Sequence, residues 1–220
     1  IGSSLQIYCD MGTFQTQSGQ SECKTSEPGF YVDSMGSPSQ TPCPPGTYSG
    51  EHGATSMDSY IPVSPGEYSP GGMPSAIECP PGTYQPEPGQ DSCIDADPGH
   101  YSEGPGSVQQ EECLPGTFQS DPGQDRCLEA EKGNYVSLSR AEESHPCSEG
   151  QYQNESGQSE CKTSDPGFYV DSGGSPSQTP CPPGTFYGET GATSMDSCTA
   201  VSPGEYSPGG VPSGIECPPG

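Results

Sequence analysis

The sequence has no tryptophan, and only five of its 220 residues are Lys or Arg. Five cations spread over a chain with 30 Asp and Glu, at a formal net charge of −25, exclude a nucleic-acid partner, because phosphate binding needs clustered Lys and Arg. The same balance opposes an anionic membrane surface. Leu, Ile, Val and Phe together number 22, about half of the ~20% below which a highly charged chain is expected to stay disordered. A single hydrophobic core of ordinary size is therefore excluded. No apolar run approaches the ~18 residues of a membrane span, so this segment does not insert directly into a membrane, and the first residues show no signal-peptide or transit pattern. Helix is disfavoured almost everywhere by 32 Gly and 28 Pro.

What the chain does have is 12 cysteines, at 9, 23, 43, 79, 93, 113, 127, 147, 161, 181, 198 and 217. Successive gaps of 14 and 20 residues recur, and the long gap after Cys43 becomes 17 plus 19 once Tyr60 is counted in the place of a cysteine. The resulting period is about 34 residues. A Gly followed two residues later by Tyr or Phe divides it in half, as in Gly12-Thr-Phe14, Gly29-Phe-Tyr31 and Gly46-Thr-Tyr48, and on to Gly204-Glu-Tyr206. Residues 9–82 align with 147–220 at an offset of 138, with 58 of 74 positions identical. Four units of about 34 residues thus form one super-repeat, the mark of a tandem array.

The units fall at 9–42, 43–78, 79–112, 113–146, 147–180 and 181–216, with residues 1–8 as the end of a preceding repeat and 217–220 as the start of the next. The chain starts at Ile1 and stops inside Cys217-Pro-Pro-Gly220, so it is expected to be an excerpt of a longer polypeptide. Pro-Gly pairs before the aromatics predict tight turns, and the Gly-x-aromatic steps predict short extended segments. The expected fold class is small disulfide-rich repeats, an elongated tandem array of short β-hairpins and loops with almost no helix. One aromatic ring per half-unit is expected to fill each joint, as neighbour contacts replace a central core in repeat proteins.

Zinc sites need clustered thiolates, commonly as Cys-x2–4-Cys, and no two cysteines here are closer than 14 residues. A catalytic thiol needs a basic neighbour, which the acidic surroundings do not supply. Structural disulfides remain, and they imply an oxidising, extracellular or secretory compartment. Pairing across the shorter gaps gives Cys9–Cys23, Cys79–Cys93, Cys113–Cys127, Cys147–Cys161 and Cys181–Cys198, and leaves Cys43 and Cys217 unpaired or interchain. Pairing across about 20 residues is the other scheme, and it leaves Cys9 and Cys79 without partners. The shorter loops are favoured, each worth on the order of 3 kcal/mol in the chain-entropy model.

Cys43-Pro-Pro-Gly-Thr-Tyr48, Cys79-Pro-Pro-Gly-Thr-Tyr84 and Cys181-Pro-Pro-Gly-Thr-Phe186, each followed by a Gly-rich stretch and, in the last two, a further cysteine, resemble the ephrin-receptor-like (EGF-like) cysteine-rich repeat. Gly191-Ala-Thr-Ser-Met-Asp-Ser-Cys198 resembles the middle of the same repeat. A looser similarity to the first module of tumour-necrosis-factor receptor domains, where such a cysteine closes on the next one, implies the short-loop pairing. The chain departs from the family at each node, which keeps one cysteine of the usual Cys-x-x-Cys; Ser26, Ala96, Ala130 and Ser164 stand where the second would be. Long arrays resembling this repeat occur in receptors, matrix proteins and extracellular filaments such as mastigonemes. The resemblance implies architecture, with no binding residue carried over.

Asn154-Glu-Ser156 is an N-glycosylation sequon, and Ser-Pro steps such as Ser64-Pro65 and Ser202-Pro203 suit O-linked sugars. Asp95, Asp97, Asp121 and Asp125 are the places for weak calcium binding, although no complete calcium loop is present. No other cofactor is expected. His52, His100 and His145 sit in separate units without a metal or nucleophile motif, so no enzyme is expected. The functional expectation is a structural component of an extracellular filament or cell-surface hair, whose partners are copies of itself in a homopolymer and attached glycans. A stalk, or a ligand-binding or adhesive ectodomain, of a cell-surface receptor is the alternative.

Overall fold

The computed structural model describes residues 7–218. The expected terminal fragments lie partly outside the described residues, at 1–6 and 219–220. The described chain contains 24 strands of two residues each and two single-turn 3-10 helices, Met57–Ser59 and Met195–Ser197. The strands pair in chain order into twelve antiparallel two-stranded ribbons. The architecture is thus small disulfide-rich tandem repeats with almost no helix.

One hairpin shows how the sequence builds the rest. At Leu114-Pro115-Gly116-Thr117, proline fixes the first turn angle and Gly116 takes a φ of +93°, the requirement of a type II turn. The Thr117 amide and its hydroxyl both donate to the Leu114 carbonyl, at 2.9 and 2.8 Å. Strand Thr117–Phe118 then pairs with Leu128–Glu129, Phe118 opposite Leu128. Two-residue strands cannot stand alone. Three backbone hydrogen bonds tie this hairpin to the next: Gly116 N–H to Val136 O (2.8 Å), Gln119 N–H to Ala141 O (3.0 Å) and Arg140 N–H to Cys113 O (2.9 Å). The same triplet recurs elsewhere, for instance from Gly46 to Ser69, Ser49 to Met73 and Gly72 to Cys43.

The chain divides into two compact units. The first comprises Ile1–Ala96, Ser102–Glu111 and Gly123–Asp125; the second comprises Asp97–Tyr101, Glu112–Pro122 and Arg126–Gly220. In the first unit, Cys43, Val63, Cys79 and Ala96 form a row of buried residues, one per hairpin, with Val32, Ser49, Ser69 and Ser102 as a second row. In the second unit the rows are Cys113, Ala130, Cys147, Ser164 and Cys181, and Gln119, Val136, Gln153 and Val170.

The rings of the Gly-x-aromatic steps are half-buried on the hairpin faces, and Tyr206 is 47% exposed. Among the described residues, ring contacts are made by Tyr31 with Tyr60 and Tyr135 with His145, so the rings do not form a continuous stack. The backbones approach closely at the joints. A Cβ on Gly82 would overlap the Gly123 carbonyl, and one on Gly133 would overlap that of Gly174. Inside the joints sit Cys, Ala, Ser, Val and Gln side chains, and the rings lie half-buried on the flanks.

Candidate functional site

The recurring chemical feature of the fold is the stapled hairpin. Five disulfides close loops of 14 or 17 residues: Cys9–Cys23, Cys79–Cys93, Cys113–Cys127, Cys147–Cys161 and Cys181–Cys198, with Cα separations of 5.7–5.8 Å. In each, the first cysteine lies in the buried row and the second at the loop's outer end. Alternate hairpins carry no bridge, and Ser26, Val63, Ala96, Ala130 and Ser164 take the buried position there. The hydroxyls of Ser26 and Ser164 are buried without a hydrogen-bond partner. A glutamine braces two of these hairpins instead: Gln40 accepts from the Glu27 amide at 2.9 Å and Gln178 from the Asp165 amide at 2.7 Å.

A second buried glutamine was not singled out from the sequence, although its recurrence was the available signal. Gln85, Gln119 and Gln153, each after a Gly-x-aromatic step, are 1–4% exposed. Each donates through its amide nitrogen to the carbonyl just before the second cysteine, at Ser92, Arg126 or Glu160 (2.7–2.9 Å). Each also accepts from the amide two residues on, at Glu87, Asp121 or Glu155 (3.1 Å). The amide group thus closes the inside of the loop that the disulfide closes outside, leaving no buried polar group unpaired there.

Cys43 and Tyr60 depart from the pattern of their super-repeat counterparts, Cys181 and Cys198. Cys43 is a free thiol, 2% exposed, donating to the Gly29 carbonyl at 2.8 Å. Such burial leaves it no surface for an interchain bond. Tyr60 stands beside it, its hydroxyl buried without a sound hydrogen bond and its ring edge-on to Tyr31 at 5.6 Å. Burial pushes the Cys43 thiol above its ordinary range. Burial, with Cys43 and Tyr31 beside it, pushes the Tyr60 phenol well above its own. Cys217 is free and exposed.

The remaining candidate residues lie apart from these nodes. Asn154 is exposed on a hairpin loop, its side-chain oxygen 2.7 Å from Lys162 Nζ, which also pairs with Glu155 at 3.2 Å. His52 is exposed, His100 Nδ1 lies 3.2 Å from the Pro98 carbonyl of its own turn, and His145 packs on Tyr135. Asp95 stands opposite Thr83 in its hairpin, with its carboxylate against Gly123. Among the described residues no three His, Cys, Asp or Glu side chains converge as a metal ion would require. No helix among them is long and apolar enough to cross a membrane.

Residues 66–113 match the model of a family described as tyrosine-protein kinase ephrin type A/B receptor-like. No curated protein matches the chain. The matched stretch contains the Cys79–Cys93 staple and its Gln85 brace, and it ends on Cys113. Repeats of this kind are a non-catalytic, extracellular type of domain, and disulfides at this density fit an oxidising compartment. Residues 66–113 are thus similar to an ephrin-receptor-like cysteine-rich repeat, and the same stapled hairpin recurs at Cys9, Cys113, Cys147 and Cys181.

Proposed function

We propose that this chain is a structural component of an extracellular filament or cell-surface hair, in which copies assemble into a polymer. The observation that carries the reading is the 138-residue super-repeat, identical at 58 of 74 compared positions. It sets near-equivalent surfaces at regular intervals along the chain, the condition for regular association between copies. Backbone hydrogen bonds at every joint and disulfides in alternate hairpins supply mechanical continuity without a central core. The acidic surface keeps copies apart at low ionic strength and lets them approach as salt screens it. Glycans on Asn154 and the Ser-Pro turns, and loosely gathered calcium, belong to the same picture.

A receptor or adhesion ectodomain stalk is the second reading, favoured by the name of the matched family. Electron microscopy of native material under non-reducing conditions separates the two. Filaments with an axial period matching the four-unit repeat are expected. Isolated molecules at high protein concentration, at both low and physiological salt, overturn the filament and leave the stalk.

A further inference from the structure

Fifteen of the 28 prolines are followed directly by glycine, where the Pro and Gly counts alone would give about four such pairs. Six of these pairs stand at the head of a hairpin: Pro45-Gly46, Pro65-Gly66, Pro81-Gly82, Pro115-Gly116, Pro183-Gly184 and Pro203-Gly204. Each of the six glycines has a φ between +82° and +93°. In each turn the amide after the glycine donates to the carbonyl before the proline, at 2.9–3.2 Å. These are type II turns, which hold the proline in the extended region at a ψ of about +120°. All six proline rings are exposed, while Gly46, Gly66, Gly82 and Gly116 behind them are buried.

Turn geometry accounts for the pairing, and the exposed rings offer chemistry of their own. Proline directly before glycine, in an extended backbone, is the position that carries hydroxyproline in Gly-X-Y chains. Two features of these turns suit the same modification. A hydroxyl on Cγ of an exposed ring finds its hydrogen-bond partners in water and leaves no buried polar group behind. Its electron withdrawal also favours the ring pucker that goes with extended ψ and carbonyl–carbonyl contact, which is the proline conformation of a type II turn.

The strand prolines provide the contrast. Pro42, Pro62, Pro146 and Pro180 do not precede glycine and lie in the second strand of a hairpin. The rings of Pro42, Pro146 and Pro180 lie against Gly72, Gly174 and Gly210 in the loops of other hairpins.

We propose that Pro45, Pro65, Pro81, Pro115, Pro183 and Pro203 are sites of 4-hydroxylation, substrates for a prolyl hydroxylase of the non-haem Fe(II), 2-oxo-acid-dependent class. The reaction breaks a Cγ–H bond and forms a Cγ–OH bond with one atom of O2. The other oxygen atom passes to the 2-oxo acid, which loses CO2 and leaves as a carboxylic acid one carbon shorter. O2 thus takes two electrons from the proline carbon and two from the 2-oxo acid. The assignment goes beyond the polymer reading and does not depend on it.

Amino-acid analysis of the native, oxidised chain, with tandem mass spectrometry of its peptides, tests the sites. The expected result is 4-hydroxyproline in the hydrolysate, and a gain of one oxygen that fragment ions place on the exposed Pro-Gly turns and not on Pro42, Pro62, Pro146 or Pro180. The same ions separate it from oxygen taken up by the exposed Met57 and Met195. A hydrolysate without 4-hydroxyproline overturns the proposal. Hydroxyl carried as heavily by the strand prolines as by the turns overturns it too, since neither the following glycine nor the turn would then select the site.

Discussion

At the scale of the residue, Tyr60 shows what a single change does to a repeat. Its counterpart Cys198 bridges Cys181 over a Cα distance of 5.8 Å, and the flanking turn Met57–Ser59 has the same capping serine as Met195–Ser197. Tyr60→Cys is therefore expected to form a sixth bridge with Cys43. Mass spectrometry should show the loss of two hydrogens, and denaturation should show a gain of about 3 kcal/mol, reduced by the lost ring contact with Tyr31. No loss of hydrogens would mean that the loop is held differently from its counterpart. In the native protein, a thiol reagent at pH 8 should label Cys217 at once and Cys43 only on unfolding.

Linkage gives Cys43 and Tyr60 a pH dependence. Both hold their protons more tightly folded than unfolded. The stability they contribute is full below their ordinary values, about pH 9–10, and is lost as pH rises beyond them. Urea melts should show the midpoint falling above about pH 9, and Tyr60→Phe should flatten that fall. A midpoint unchanged up to pH 11 would contradict the burial of both groups.

At the scale of the element, a hairpin of two-residue strands persists only through its neighbours. Its sensitive points are backbone positions. Gly82 at φ +88° lies against the Gly123 carbonyl, so Gly82→Ala meets both a strained φ and a steric overlap and is expected to cost more than about 2 kcal/mol. Gln153→Ala removes a brace that is 1% exposed and leaves the Glu160 carbonyl and Glu155 amide without it. A loss of about 1–3 kcal/mol is expected. Amide hydrogen exchange can localise it: faster exchange confined to 151–163 is expected, and uniform acceleration along the chain would show that the hairpins do not open separately.

The repeat, its hairpins, the near absence of helix and the family likeness of residues 66–113 were legible in the sequence because they follow from local punctuation. Pro-Gly sets a turn, a following Thr-aromatic step sets a strand, and both act within a few residues. The Gln85, Gln119 and Gln153 braces were missed because an isolated glutamine carries no signal apart from its recurrence. How far each ring is buried depends on how closely backbones approach across a joint, as at Gly133 and Gly174, a distance between hairpins that no local pattern encodes.

At the scale of the whole molecule, surface charge and the Asn154 sequon are the features to test. Asn154 is exposed on its loop, so material from a secreting host is expected to lose the mass of one N-glycan on enzymatic deglycosylation, and Asn154→Gln material to lose none. An unshifted wild type would leave Asn154 as a plain partner of Lys162. The salt response is set by a molecule of net charge −25 in which basic residues concentrate in one segment. Association that rises with salt is the response expected as screening relieves the general repulsion.

The sequence by itself determined the period, the turns and the exclusion of a large core, since each depends on residue type and spacing alone. Tertiary structure decided which cysteine of a pair is buried, that Cys43 is sealed inside while Cys217 is not, and that Gln85, Gln119 and Gln153 turn inward. It also brought Leu138 and Arg140 over the turn at Cys113. Each of these depends on contact between hairpins about 20 or more residues apart in the chain, and such contacts are fixed by backbone hydrogen bonding across the joints, to which side-chain patterns are nearly blind.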